Sequence, residues 1–197
     1  MTQAPHNFLY SMLTCPKVFA NAESLGADPN KVFTIGSSAG GGLALTVANS
    51  LIRTHQGLKV QGIIALAPVT THPLHPPPDY DSYYNAYIEN QSGVPLLDKQ
   101  AMETYFTASE ADPHDENVFV TLSHKLGSFP KTYIVTCGKD PLRDDGKVLG
   151  LMLEEEGVGV KNDHYTGLPH CFWVVSELRE TKQFREKLAL GVRWVLE

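Results

Sequence analysis

The 197-residue chain carries 22 acidic against 16 basic residues, a net charge of −6, and no lysine or arginine cluster able to neutralise a run of phosphates, so nucleic acid is not an expected partner. Its length suits one domain with a sizeable core, and its three cysteines, Cys15, Cys137 and Cys171, are too few and too scattered for a disulfide framework or a zinc site. No leader pattern opens the chain and no stretch approaches the roughly 20 apolar residues of a membrane span, so a cytoplasmic protein in a reducing compartment is expected.

In chain order, the first β-rich run is Lys31 to Gly36, near-continuously apolar as a strand buried on both faces must be. Leu43, Val47, Ala48, Leu51 and Ile52 then share one face of a helix that Gly57 is placed to end. A second strand runs from Val60 to Ala67. Residues 68–130 break the rhythm: "HPLHPPPDY" excludes helix and central strand, and "DSYYNAYIEN" and Met102 to Phe106 read as short helices laid over the sheet edge. This stretch is expected to be a loop-and-helix insertion within one domain spanning 1–197. A third strand, Thr132 to Cys137, leads to a helix carrying Val148, Leu149, Met152 and Leu153, with Asp144 or Asp145 as its cap and Gly157 at its end. The fourth strand is Val158 to Tyr165, and Phe184, Leu188, Val192 and Val195 mark a last amphipathic helix. Alternation of strand and helix predicts an α/β fold, a mostly parallel sheet with helices on both faces.

Gly36-Ser37-Ser38-Ala39-Gly40 fits G-x-S-x-G, in which a serine tips a strained strand-to-helix turn and glycines on either side let backbones pass. A serine hydroxyl is a weak nucleophile until a base takes its proton, and that base works best with a carboxylate fixing its tautomer. Asp140 stands just beyond the third strand in "CGKDPLRDD", and His170 just beyond the fourth in "YTGLPHCFW". In a parallel sheet all three positions fall on one edge, where ligands bind. The alternatives are Asp144 or Asp145 as the acid and His164 as the base, although His164 falls inside a strand pattern.

The segments "LGADPNKV", "GSSAGGG", "GKDPLRDDG" and "YTGLPHCFW", in that order, resemble the hormone-sensitive-lipase-like branch of the α/β-hydrolases, particularly its fungal carboxylesterase-like members. The resemblance covers nearly the whole chain. It implies a serine esterase acting on a small to medium ester or lactone, with Ser38 as nucleophile, Asp140 as orienting acid, His170 as general base and the Ala39 N–H as one oxyanion donor. No cofactor or metal is implied. Ser37 stands where the family more often has Asp. The family's H-G-G-G oxyanion segment does not occur in the 37 residues before Ser38, so the chain is expected to be the C-terminal portion of the fold. Loss of an oxyanion donor costs about 10²–10³ in rate. The alternative expectation is therefore a catalytically impaired hydrolase-like protein serving as an inert or binding module. Its first strand would be an exposed edge that invites self-association.

Other residues read more plainly. His6, His55, His72, His75, His114 and His124 are expected to be scattered and solvated. Tyr83, Tyr84, Tyr87, Tyr105 and Phe106 are divided between pocket lining and insertion core. Trp173 either flanks the site or packs the last helix. Cys171 reads as a small packed side chain, and Arg143 with Asp144 as a structural ion pair. Glu154-Glu155-Glu156 is expected to be a solvated helix end.

Overall fold

The structure, a computed structural model, describes residues 17–54 and 60–197. Cys15, His6, His55 and the helix-ending role of Gly57 lie outside the described residues.

Among the described residues four strands, β1 (Phe33–Ser37), β2 (Gly62–Leu66), β3 (Lys131–Lys139) and β4 (Val160–Pro169), form one sheet in the order β1-β2-β3-β4. All neighbouring pairs are parallel, with Ile35 opposite Ile64, Ile64 opposite Tyr133 and Tyr133 opposite Lys161. Every residue of β2 is buried, as its unbroken apolar run requires. The two-residue alternation along β2 and β3 sorts the core into two layers. Ile63, Ala65 and Ile134 pack with Leu45, Ala48, Leu149 and Leu153 on one face. Ile64, Leu66, Tyr133, Val135 and Cys137 pack with Phe172, Phe184 and Val195 on the other. The first layer belongs to helices α1 (Ala39–Arg53) and α4 (Arg143–Glu155), the second to α5 (Arg179–Leu196). Between β2 and β3 lie short helices α2 (Ala86–Glu89) and α3 (Lys99–Ser109) and three 3-10 turns. Asp98 starts α3 by accepting the Ala101 N–H at 2.9 Å.

The four expected strands and three long helices are present, and Gly157 ends α4 in the left-handed region at φ 78°. The capping of α4 differs. The helix begins at Arg143 with Leu142 in the cap position and no side-chain cap bond. Asp144 and Asp145 are buried inside its first turn, where their carboxylates face the insertion and bond to it instead.

Among the described residues β1 is one edge of the sheet, and Ile35 on it is 49% exposed. Among the described residues no helix is long and apolar enough to cross a membrane.

Candidate active site

The turn from β1 into α1 is built from close backbone approaches. A Cβ at Gly36 would stand 2.0 Å from the Gly40 carbonyl oxygen, so only hydrogen fits there. A Cβ at Gly40 meets nothing within 4 Å, so the steric demand falls on the first glycine of the motif. Ser38, at the apex, has φ 57° and ψ −125°, a conformation costly for any residue with a side chain. Its N–H donates to Leu66 O at 2.8 Å, and its carbonyl accepts from Gly41 and Gly42 at 2.9 and 3.1 Å. Ala39 is the first residue of α1, so its N–H has no partner four residues back within the helix. Positive φ recurs at Ala67 and Cys171, after β2 and β4, so backbone strain gathers along the carboxyl edge of the sheet.

Asp140 follows β3 directly. A Cβ at Gly138 would lie 1.8 Å from Thr166 O, and the β3–β4 register slips between Cys137 and Lys139. This close crossing brings the two strand ends together. Asp140 is fully buried, and its Oδ2 lies 2.8 Å from His170 Nδ1 while its Oδ1 accepts the Leu142 N–H at 2.9 Å. His170 is 7% exposed. Burial pulls the pKa of its ring down, but bonds to Asp140 and Cys171 outweigh burial and raise it to about 9.

Ser38, Ala39 and His170 open on one cavity of about 510 Å³. Its walls are α1 at Gly42, Leu43 and Thr46, α3 at Met102, Tyr105 and Phe106, and the insertion at Leu96, Leu97, Val118 and Phe119. Three polar side chains on these walls are tied down. The Thr46 and Ser109 hydroxyls donate to Leu43 O and Phe106 O, and the Asn117 amide is held by Asp115 and Arg53. The cavity therefore suits an apolar group beside Ser38 and His170.

The structure thus brings Ser38, Ala39, Asp140 and His170 to one sheet edge. His164 does not join them: it sits within β4 with Nδ1 2.9 Å from Thr136 Oγ1, and burial lowers its pKa. Trp173 stacks on Phe184 at 4.5 Å and 9°, packing α5. Tyr105 and Phe106 line the cavity. Tyr87 instead packs with Leu97, Met102 and Leu142, and Tyr83 is 54% exposed. Arg143 pairs with Asp144 at 2.7 Å, as expected, and reaches Glu89 at 2.6 Å.

The scattered-histidine expectation is corrected in part. His72, His75 and His114 form a ring-to-ring row with centroids 5.5 and 4.9 Å apart, and His72 also packs on Phe106 and Phe119. The insertion folds back on itself and joins positions that carry no common spacing. Asn90 is a residue that sequence reasoning missed. It is buried, and its Nδ2 donates to Asp140 O at 3.1 Å, steadying the loop that carries the carboxylate. No local pattern distinguishes it, because the contact is set by tertiary packing.

A family model described as alpha/beta hydrolase fold matches residues 3–174. Versiconal hemiacetal acetate esterase of Dothistroma septosporum is 46% identical over 183 residues, covering 90% of this chain and 55% of that protein. The crystal structure of vibralactone cyclase superposes with a TM-score of 0.85 at 28% identity, covering 96% of this chain and 55% of the other. A thermostable carboxylesterase cloned from a metagenomic library shares the fold, with a TM-score of 0.87 at 22% identity, 98% of this chain and 64% of the other being covered. The chain spans about half the length of this esterase and of other curated esterases it matches.

Proposed function

The chain belongs to the alpha/beta hydrolase fold family, and from that premise we propose that it is a serine esterase of the hormone-sensitive-lipase-like branch. The observation that carries the reading is the buried 2.8 Å bond between Asp140 Oδ2 and His170 Nδ1, with His170 lining the same cavity as Ser38. A carboxylate on Nδ1 fixes the tautomer that leaves Nε2 free to take a proton. His170 accepts the Ser38 hydroxyl proton as Oγ attacks the ester carbonyl. Negative charge collects on the carbonyl oxygen, and the Ala39 N–H, at the positive end of α1, donates to it. Collapse of the tetrahedral species breaks the C–O bond, and His170 returns its proton to the leaving alcohol. Water, deprotonated by His170, then hydrolyses the acyl-enzyme and restores Ser38.

The substrate is read as a small to medium ester or lactone with an apolar body. Support comes from the apolar cavity of about 510 Å³ and from similar proteins whose names describe a versiconal hemiacetal acetate esterase and a vibralactone cyclase. These relatives also favour a role in fungal secondary metabolism. No cofactor or metal enters this sequence of steps.

Ile35, 49% exposed on edge strand β1, favours a second reading, a hydrolase-like module that binds or self-associates through this edge without turnover. A fluorophosphonate probe separates the parts of the question. Labelling at Ser38 that disappears in Ser38→Ala supports the nucleophile, and labelling that survives the change or moves to Ser37 overturns it. Hydrolysis of p-nitrophenyl acetate that His170→Ala abolishes supports the esterase. Labelling without hydrolysis supports the module.

A further inference from the structure

Asp145 is a carboxylate 6% exposed that has no part in the steps above. Its Oδ1 accepts the Thr70 N–H at 2.8 Å and the Thr71 N–H at 3.1 Å, and the Thr70 hydroxyl lies 3.1 Å from its backbone oxygen. Burial pushes its carboxyl up to about 7, against the two backbone donors that hold it down. These partners are the end of a short chain segment, Pro68 to Thr71, that leaves β2 and runs under the serine turn.

The other end of that segment touches the turn. The Val69 N–H donates to Ser38 O at 3.3 Å, the same carbonyl that accepts from Gly41 and Gly42. A Cβ at Gly42 would stand 2.5 Å from Val69 O, and one at Gly41 would stand 3.0 Å from Pro68 Cα and Cβ. Pro68 to Thr71 is therefore wedged against the first turn of α1, and the strained Ser38 backbone depends on what surrounds it to stay put. Thr70 O in turn accepts from Thr121, so both backbone groups of Thr70 are tied.

We propose that Asp145 is a positioning residue for Ser38, acting through the Pro68–Thr71 segment that it holds against the first turn of α1. The proposal rests on the esterase reading only where it treats Ser38 as the reacting group. In that arrangement the helix after β3 serves two of the reacting residues: the loop before it presents Asp140 to His170, and its first turn braces the backbone that aims Ser38.

Asp145→Ala removes the acceptor, whereas Asp145→Asn keeps its volume and one amide oxygen in its place. With Ser38 displaced by a fraction of an ångström, fluorophosphonate labelling of Asp145→Ala is expected to slow by about 10- to 100-fold, and kcat for p-nitrophenyl acetate to fall likewise with KM within about threefold of the parent. Asp145→Asn should recover most of that loss. Amide hydrogen exchange over residues 38–42 provides a readout independent of activity, and it should quicken by roughly tenfold in Asp145→Ala relative to the β3 amides. A folded Asp145→Ala protein with parental labelling and parental exchange at residues 38–42 overturns the proposal. If Asp145→Ala does not fold, Asp145→Ser decides, because its shorter side chain cannot hold both the Thr70 and Thr71 N–H groups: exchange at residues 38–42 faster than in the parent supports the role, and parental exchange overturns it. A parent protein that does not label at Ser38 defeats the esterase reading, and the exchange comparison still judges Asp145.

Discussion

Asp140 and His170, 30 residues apart in the chain, meet at 2.8 Å with both side chains buried, because β3 and β4 run parallel and cross closely at Gly138. The bond leaves the other ring nitrogen free of Asp140, and His170 and Ser38 line one cavity. Asp140→Asn keeps the shape but favours the wrong tautomer, so kcat for a p-nitrophenyl ester should drop by about 10⁴ with KM little changed. Steady-state kinetics check this, and a loss under tenfold removes Asp140 from its role.

The raised pKa of His170 sets opposite pH trends for activity and stability. The ring must be neutral to act as base, so kcat/KM should climb with pH towards about 9. The sign for stability is the reverse: a histidine raised from 6.5 stabilises the fold fully below that value and loses this contribution as pH rises through about 9. Cys171 contributes to the raised value after burial and the Asp140 bond. Cys171→Ala should therefore move the acid limb of the pH–rate profile to lower pH. A limb that stays in place shows that Asp140 alone sets it.

The two glycines of the serine turn should respond differently to a methyl group. Gly36→Ala places Cβ 2.0 Å from the backbone oxygen of Gly40, and the clash should cost about 3 kcal/mol or more. That corresponds to a fall in Tm of roughly 6–12 °C at this chain length, with Ser38 labelling lost as the turn opens. Gly40→Ala meets nothing within 4 Å and lies in the first turn of α1, so its Tm should stay level or rise slightly. Thermal melts of both variants check the pair, and equal losses would place the steric demand elsewhere.

The parallel sheet was legible because β2 and β3 are short, unbroken apolar runs and the helices between them keep a regular period. The meeting of Ser38, Asp140 and His170 at one sheet edge was legible because each residue directly follows a strand of a parallel sheet. What the sequence hid arises where distant segments meet. Asp144 and Asp145 look like helix caps when α4 is read by itself. Only the folded insertion brings the N–H groups of Thr70, Thr71, Asn85 and Ala86 to them and makes them anchors. Asn90 and the three-histidine row were silent for the same reason, since side chains of residues 68–130 are paired by packing and not by periodicity.

The cavity wall at Leu43 should set how large an apolar group fits beside Ser38. Leu43→Trp on α1 fills space that the acyl or alcohol group would occupy. One methylene in an apolar pocket is worth about 1–3 kcal/mol, so p-nitrophenyl hexanoate should lose more than tenfold in kcat/KM while the acetate changes by less than about threefold. A chain-length series tests this, and equal losses across the series would mean that the substrate body lies outside the cavity.

The histidine row should make the insertion sensitive to acid. His72 sits between His75 and the aromatic pair Phe106 and Phe119, which line the cavity, and its pKa is lowered by burial and then by His75 and His114. A depressed histidine favours the fold while neutral, so its contribution is present above 6.5 and is lost as pH falls below that value. A charge on His72 also meets the adverse effect of its neighbours His75 and His114. His72→Asn keeps an acceptor for the Leu74 N–H that His72 Nδ1 now receives at 3.3 Å, yet it does not titrate. The parent should therefore lose more Tm than His72→Asn between pH 7.5 and 5, as measured by melts at matched ionic strength. Parallel curves for the two proteins would show that the acid sensitivity, if any, resides outside this row.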